Sequence, residues 1–257
     1  MNNNNNNPDA AWVILGGTSA VALAYARRKA VQNQNLILVG RNAKKLSLNA
    51  ADLDARGSGI IQTLKCDLSD VDKVLENWEK IRTLSPQISG ALIAYGVLGV
   101  QEDTQENVTS LEHSLRTNFT SAALWSELAF DHFARHGNGQ LTIIGSVAGD
   151  RGRQSNYHYG AAKGALSIFA SGMAHRAART VGADINVLLV KPGFIDTPMT
   201  DHIEKGGPLW ASPETVAKNI TKAEARGRST VYAPWFWRFI LLLIRHTPNF
   251  VFHKTRL

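Results

Sequence analysis

The sequence predicts a doubly wound α/β fold, with a parallel sheet of about seven strands, helices on both faces, and a helical tail appended to a single domain. Two observations predict it. Seven short, β-rich apolar runs alternate with amphipathic stretches of helical length, the pattern of βαβ units around a parallel sheet. The runs are continuously apolar rather than alternating, which requires both sheet faces to be covered. A chain of 257 residues, 44% hydrophobic, is long enough to bury such a core as one domain.

In chain order, the stretch MNNNNNNPDA lacks a basic region leading into an apolar one, so it is no secretory signal. Its Asn run reads as a disordered leader over residues 1–9. The body is expected over 10–233 and a basic amphipathic tail over 234–257. WVILGG (12–17) is the first strand, followed by a helix over roughly 19–32. NLILVG (35–40) leads to a helix near 42–56, and GIIQTLKC (59–66) to one near 69–83. GALIAYG (90–96) precedes a long helix over 107–136, and QLTIIGS (140–146) precedes another over 157–181. INVLLVKPG (185–193), a helix over 213–225 and STVYAP (229–234) complete the body. No internal repeat is visible.

A lone Cys66 excludes an intramolecular disulfide and fits a reducing compartment, so the cytoplasm is the expected location. The net charge of +7 is uneven. Beyond Glu224, the last acidic residue, lie six cations, which leaves +1 for the rest of the chain. That placement argues against a nucleic-acid groove on the body and points to phosphates or an acidic surface near the tail.

The turn after the first strand tests for a nucleotide. In Gly16-Gly17-Thr18-Ser19 the glycines let backbone approach a pyrophosphate at the N-terminus of the next helix, although an ordinary β–α turn uses the same residues. After the second strand stands Arg41 rather than an acid. A guanidinium there suits a ribose 2′-phosphate, which favours NADP(H) over NAD(H). Asp67, ending the third strand, suits either an adenine amine or a helix N-cap. Further on, Tyr159 and Lys163 share a helical face, separated only by Gly160, Ala161 and Ala162. A phenol titrating near ~10 is a poor acid or base at neutrality until a cation stabilises its phenolate. The alternative is a core Tyr beside a surface Lys.

Taken together, GGTS, CDLSD, Asn118 in a long helix, Ser146 thirteen residues before Tyr159, the Tyr159-xxx-Lys163 pair and KPGFIDTPM resemble the short-chain dehydrogenase/reductase family over about residues 11–233. The resemblance implies a Rossmann-type sheet and hydride transfer between a nicotinamide cofactor and a carbonyl or secondary alcohol. It makes Tyr159 the proton donor or acceptor, with Lys163 lowering its pKa and holding the nicotinamide ribose. Ser146 would fix the substrate carbonyl and Asn118 would support a proton-relay water. Gly96, Pro192, Gly193, Ile195 and Thr197 join the cofactor set, although Thr197 also suits a turn cap. A homo-oligomer is implied too. The chain departs from the family's pattern at Val21 and Ala22, which stand where later glycines of the first loop are usual, and at Tyr95, where Asn is common.

Other residues read more plainly. His132 and His136 have metal-compatible spacing but no third ligand, so a solvent-facing pair and no metal site are expected. His158 points off the face of Tyr159. Arg151 and Arg153 lie on a loop that would border a substrate pocket, where guanidinia suit phosphate or carboxylate; a solvated loop explains them equally. In PWFWRFILLLIRHTPNFVFHKTRL, Arg238, Arg245, Asn249 and Arg256 fall near one helical angle, and Pro248 should divide the helix. The apolar run is too short to span a bilayer but suits its headgroup boundary; the alternative is an oligomer contact or a cap over the pocket.

That ending, with GGTS and YGVLG, resembles the part of the same family related to decaprenylphosphoryl-2-keto-ribose reductases. It implies a polyprenyl-phosphate-linked keto-sugar and a peripheral contact with the inner membrane face. The rivals are a reductase of a soluble ketone, such as an acyl thioester or sugar phosphate, and a non-catalytic dinucleotide-sensing protein.

Overall fold

The computed structural model describes residues 9–201 and 204–255, so all of the expected leader except Asp9, and Arg256 of the tail, lie outside the described residues. The first half of the body comprises β1 (Ala11–Leu15), α1 (Ala20–Ala30), β2 (Asn35–Gly40), α2 (Ala43–Asp54), β3 (Ile61–Lys65), α3 (Val74–Leu84) and β4 (Ile88–Ile93). The second comprises α4 (Gln101–Glu106), α5 (Val108–Leu115), α6 (Ser121–His136), β5 (Asn138–Ile144), α7 (Tyr157–Arg179) and β6 (Asp184–Pro192). There follow β7 (Phe194–Ile195), β8 (Trp210–Ala211), α8 (Pro213–Glu224), β9 (Thr230–Ala233), and the tail helices α9 (Trp237–His246) and α10 (Asn249–Phe252).

Seven of these strands form the sheet that the alternation predicts, in the order β3-β2-β1-β4-β5-β6-β9, and every pairing is parallel. Successive side chains of one strand point to opposite faces. Val13 and Leu15 therefore pack with Trp78, Trp125 and Phe133 on one face, while Ile14 packs with Tyr25, Val216 and Ile220 on the other. This is the physical content of the continuous apolar runs.

Polar groups tie the layers together. Buried Glu224, at the end of α8, accepts from Tyr25 Oη at 2.8 Å and Thr142 Oγ1 at 2.7 Å, and pairs with Lys29 Nζ at 3.2 Å. Lys29 also lies 3.4 Å from the Trp12 ring centre. Such a pair compensates the desolvation of two charges while fixing α1 against α8 and β5.

The structure corrects three expectations. The helix expected over 107–136 is α5 and α6 joined by a π-helical turn at Arg116–Thr120. Of the histidine pair, only His136 faces solvent. His132 is buried, its Nε2 accepts from Ile88 N at 3.2 Å, and its ring stacks on His136 with centres 4.0 Å apart. Burial lowers its pKa to about 4, so it is a neutral core acceptor at neutral pH. Among the described residues no cluster of acids, His or Cys could hold a metal. Finally, the tail is no detached appendage. Pro248 divides α9 from α10 as its missing N–H dictates, but Trp237 and Leu241 are buried against Val147.

Candidate active site

The strand order reverses between β1 and β4, and the loops leaving their C-terminal ends diverge to open a crevice there. It holds a cavity of about 480 Å³ and an adjoining one of about 180 Å³, which share Thr18, Ser19, Tyr95 and Gly96. The smaller cavity is the nucleotide-shaped end. Gly16 has φ of +92°, and a Cβ on it would lie 2.7 Å from the Ala94 carbonyl oxygen, so glycine is required where β1 and β4 part. Ser19 caps α1 by accepting from Ala22 N at 3.2 Å. Gly17 lines neither cavity and packs on Leu38 instead. Val21 forms part of the larger cavity's wall, whereas Ala22 is buried in the core.

At the far end of the smaller cavity stand Arg41 and Asp67. Asp67 is not a helix cap; its Oδ1 accepts from Ser69 N at 3.0 Å and Ser69 Oγ at 2.7 Å. Arg41 Nη1 is 4.0 Å from Asp67 Oδ2 and its side chain is 67% exposed, so the guanidinium is free to meet another anion. Thr117 Oγ1, facing this cavity, is buried without a hydrogen-bond partner. A glycine cradle, a capped helix N-terminus, a free guanidinium and an orphaned hydroxyl together fit a dinucleotide.

The larger cavity collects the predicted chemical groups. Ser146, which ends the loop after β5, hydrogen-bonds the Tyr159 hydroxyl. Lys163 Nζ lies 5.9 Å from the Tyr159 ring centre and donates to the Ile144 carbonyl at 3.2 Å. Glycines explain how α7 comes so close. Gly164 faces the Gly149 carbonyl, and a Cβ on Gly149 would lie 2.6 Å from the Lys163 carbonyl carbon. On Gly160 it would lie 2.9 Å from the Ala148 oxygen. The small residues flanking Tyr159 and Lys163 thus let the Ser146 loop lie directly on α7.

The electrostatics differ from the expectation that Lys163 lowers the Tyr159 pKa. Burial pushes the Tyr159 hydroxyl up to about 12, with the Ser146 hydrogen bond acting the other way, so at neutral pH it is a phenol. Burial likewise lowers Lys163 to about 8. In an apolar cavity desolvation is the leading influence on both groups.

Asn118 is not brought to the cavity surface. It is fully buried in the π turn, where Nδ2 donates to the Val97 carbonyl at 2.8 Å and the Ser114 carbonyl at 3.0 Å. Its Oδ1 accepts from Val97 N at 3.1 Å. It fixes the Gly96 loop, where any Cβ would sit 2.6 Å from Asn118 Oδ1 and 3.6 Å from Lys163 Nζ. Tyr95 braces the same loop with a 2.6 Å hydrogen bond to Ser121 Oγ, which in turn reaches the Leu68 carbonyl. Pro192, Gly193, Ile195 and Thr197 line the cavity as expected, and Thr197 also opens the short turn at Pro198–Thr200. His158 is a structural anchor, hydrogen-bonded to Thr104 Oγ1 at 2.7 Å.

Several lining residues escaped the sequence reading, Lys45 and Trp237 among them. Lys45, four residues after Arg41, was legible only as part of a basic cluster at the start of α2. Trp237 carried no signal, since only the folding back of the tail lays its indole on Gly193.

A model of the family described as short chain dehydrogenase matches residues 10–207. The chain belongs to the short-chain dehydrogenase/reductase family. A curated relative, an uncharacterized oxidoreductase of Mycobacterium tuberculosis, is 32% identical over 246 residues, 95% of this chain and 96% of that protein. A bovine (Bos taurus) 3-oxoacyl-[acyl-carrier-protein] reductase is 27% identical over 212 residues, covering 82% of this chain and 83% of its own. A short-chain dehydrogenase from Sphingobium yanoikuyae, solved in complex with NADPH, shares the fold with a TM-score of 0.81 at 19% identity, over 96% of each chain. This short-chain dehydrogenase/reductase is thus an oxidoreductase of a family that binds nicotinamide dinucleotides, which excludes the reading as a non-catalytic sensor.

The buried Lys163 generates a stability prediction for this enzyme. Its folded pKa, about 8, lies below the ordinary 10.5, so its destabilisation is fully present below pH 8 and is relieved as the pH rises to 10.5. The penalty is on the order of 3 kcal/mol. Lys163→Met should therefore raise the melting temperature at pH 7 by several degrees, and scanning calorimetry should show that advantage shrinking by pH 10.

Proposed function

We propose that the enzyme reduces a carbonyl compound, with NADPH as the hydride source. The observation that carries this reading is one cavity holding the hydrogen-bonded Ser146–Tyr159 pair and the Lys163 ammonium beside a dinucleotide-shaped cleft. A bound reduced nicotinamide supplies the hydride. Ser146 hydrogen-bonds the substrate oxygen and orients the carbonyl. The neutral Tyr159 phenol gives its proton to that oxygen as the alcohol forms, and Lys163 stabilises the phenolate left behind. Lys163 would also hold the ribose of the cofactor, while Asn118 acts as a positioning residue that holds Gly96 clear. The 3-oxoacyl reductase among the relatives supports the reductive direction.

The preference for NADP(H) is supported by the exposed Arg41 guanidinium, which stands directly after β2 where the chain has no acidic residue, and by Lys45 one turn away. For the substrate, the resemblance of the tail supports a keto-sugar on a polyprenyl phosphate. The tail's surface supports peripheral contact with an inner membrane face. Trp235, just before α9, and Phe239, Leu242 and Leu243 on it are turned to solvent, with Trp235 71% and Leu243 74% exposed, and Arg238 and Arg245 accompany them. No helix among the described residues is long and apolar enough to cross a membrane. Reduction of a soluble acyl thioester or sugar phosphate is the second reading, and the 3-oxoacyl reductase favours the thioester. A homo-oligomer is proposed on family grounds.

Three experiments test these points. Tyr159→Phe should lower kcat on a panel of ketones and keto-sugars by about 10²–10⁴ while NADPH affinity is kept; unchanged turnover would refute the mechanism. Arg41→Asp should abolish the difference in Kd between NADPH and NADH seen by fluorescence titration, and a preserved difference would assign the 2′-phosphate elsewhere. Removal of the whole tail would also strip Trp237 from the cavity wall. The triple variant Trp235→Ser, Phe239→Ser, Leu243→Ser is therefore the sharper probe. It should lose co-sedimentation with phosphatidylglycerol vesicles that the unmodified enzyme shows, and a parent enzyme that ignores those vesicles rules the membrane contact out.

A further inference from the structure

Among the described residues, the larger cavity is lined by Lys45, Arg153 and Lys163, and by no Asp or Glu. Lys163 donates to the Ile144 carbonyl within the catalytic set, and Lys45, near the start of α2, is exposed, so its charge stays hydrated. Arg153 has neither a partner nor full hydration. It is half-buried, and among the described residues its guanidinium makes no ion pair, side-chain hydrogen bond or ring contact.

Its neighbour shows that this is not the ordinary state of the loop. Arg151 is saturated, donating to the carbonyls of Ile244 and Thr247 and to Asn249 Oδ1 at 3.0 Å, and stacking 3.8 Å from the Phe252 ring centre. It locks the tail onto the Ser146 loop. Buried Asp150, the nearest carboxylate in sequence, is equally committed, to Lys191 Nζ and to Tyr232 Oη at 2.6 Å. The fold supplies Arg153 with no counter-charge, and its desolvation is uncompensated; no acid pulls against the lowering of its pKa. Close by, Asn156 Oδ1 is also buried without a donor and belongs to the same cavity wall. A partly desolvated cation and an orphaned acceptor in one cavity wall are completed by a ligand that brings both an anionic oxygen and a hydroxyl.

The chain places this pair at the substrate end. Arg153 and Asn156 lie between Ser146 and Tyr159, on the loop that Arg151 fastens to the tail, and Trp237 of that tail lines the same cavity. The cradle of the dinucleotide is on the β1 and β4 side. We infer that Arg153 is a specificity-determining residue that receives an oxyanion of the substrate, with Asn156 accepting from a neighbouring hydroxyl. The carbonyl compound is therefore a hydroxylated, phosphorylated one rather than a neutral ketone. This rests on the reductase reading and narrows its substrate class. A soluble phosphate ester and the phosphodiester of a lipid-linked sugar present the same chemistry to the guanidinium.

The test separates those sources and does not depend on turnover. Protein saturated with NADPH, so that the cofactor's own phosphate sites are filled, is titrated by calorimetry with ribose 5-phosphate, with ribose, and with farnesyl phosphoribose in detergent. The phosphorylated probes should bind more tightly than ribose. Arg153→Met should weaken the bound probe about 30-fold, Arg153→Lys should recover part of that loss, and NADPH affinity should stay at the parent value. Binding of ribose 5-phosphate assigns a soluble substrate, and binding of the farnesyl probe alone assigns a lipid-borne one. Equal affinity for ribose and both phosphorylated probes, no binding of any probe, or an unchanged affinity in Arg153→Met overturns the inference. In parallel, the ratio of kcat/KM for ribulose 5-phosphate over ribulose should collapse toward one in Arg153→Met through KM. Should Tyr159→Phe keep full turnover, the reductase mechanism fails while the calorimetric result still decides the anion site.

Discussion

A buried ammonium organises the functional end of this molecule. Lys163 is 3% exposed and its charge is stabilised by the Ile144 carbonyl at the end of β5 and by the Tyr159 ring one turn away. Everything around it must leave room for that head group. Residue 96 must be glycine, Asn118 must hold the Gly96 loop through the N–H and carbonyl of Val97, and the Ser146 loop must lie flat on α7 through Gly149, Gly160 and Gly164. Burying a lysine costs stability at neutral pH, whereas at Tyr159 burial raises the pKa of a phenol that is neutral there in any case and carries no such cost. Both displacements leave useful protonation states: a phenol able to give a proton and an ammonium able to accept the resulting negative charge.

The second organising feature is the loop from Ser146 to Asn156. Its first residue orients the phenol, Asp150 anchors it to β6 and β9 through Lys191 and Tyr232, and Arg151 fastens the tail. The tail therefore contributes to the cavity as a wall, through Trp237, while its other face stays apolar and open to solvent. With apolar residues on two faces, one face of α9 walls the cavity and the other is the surface proposed above for membrane contact, so the alternatives of pocket cap and surface anchor do not exclude one another. The guanidinium of Arg153 stands where the two roles meet, at the part of the cavity bounded by loop and tail.

The departures from the family's glycine loop and from its usual Asn have physical substitutes. Val21 faces the larger cavity and Ala22 fills the core, so neither Cβ enters the turn at Gly16, where the backbone needs its positive φ. Tyr95, in place of the amide, reaches across to Ser121 and through it to Leu68, bridging the loops after β3 and β4. The cradle keeps its shape by a different set of hydrogen bonds.

The sequence by itself determined the parallel sheet, because uninterrupted apolar runs separated by helical periods leave no other arrangement that covers both strand faces. It also determined the pairing of Tyr159 with Lys163 and the fit of small residues between them, because helical spacing is a local property. Tertiary structure alone decided which candidates share a cavity. Gly17 turned inward onto Leu38, Asn118 spent its amide on Val97 and Ser114, and His132 became a core acceptor for Ile88. It also decided the protonation states, since desolvation depends on what surrounds a group rather than on its neighbours in the chain. Trp237 reaches the cavity from more than seventy residues beyond Tyr159, a distance no local pattern encodes; only the packing of α9 on Val147 brings it there.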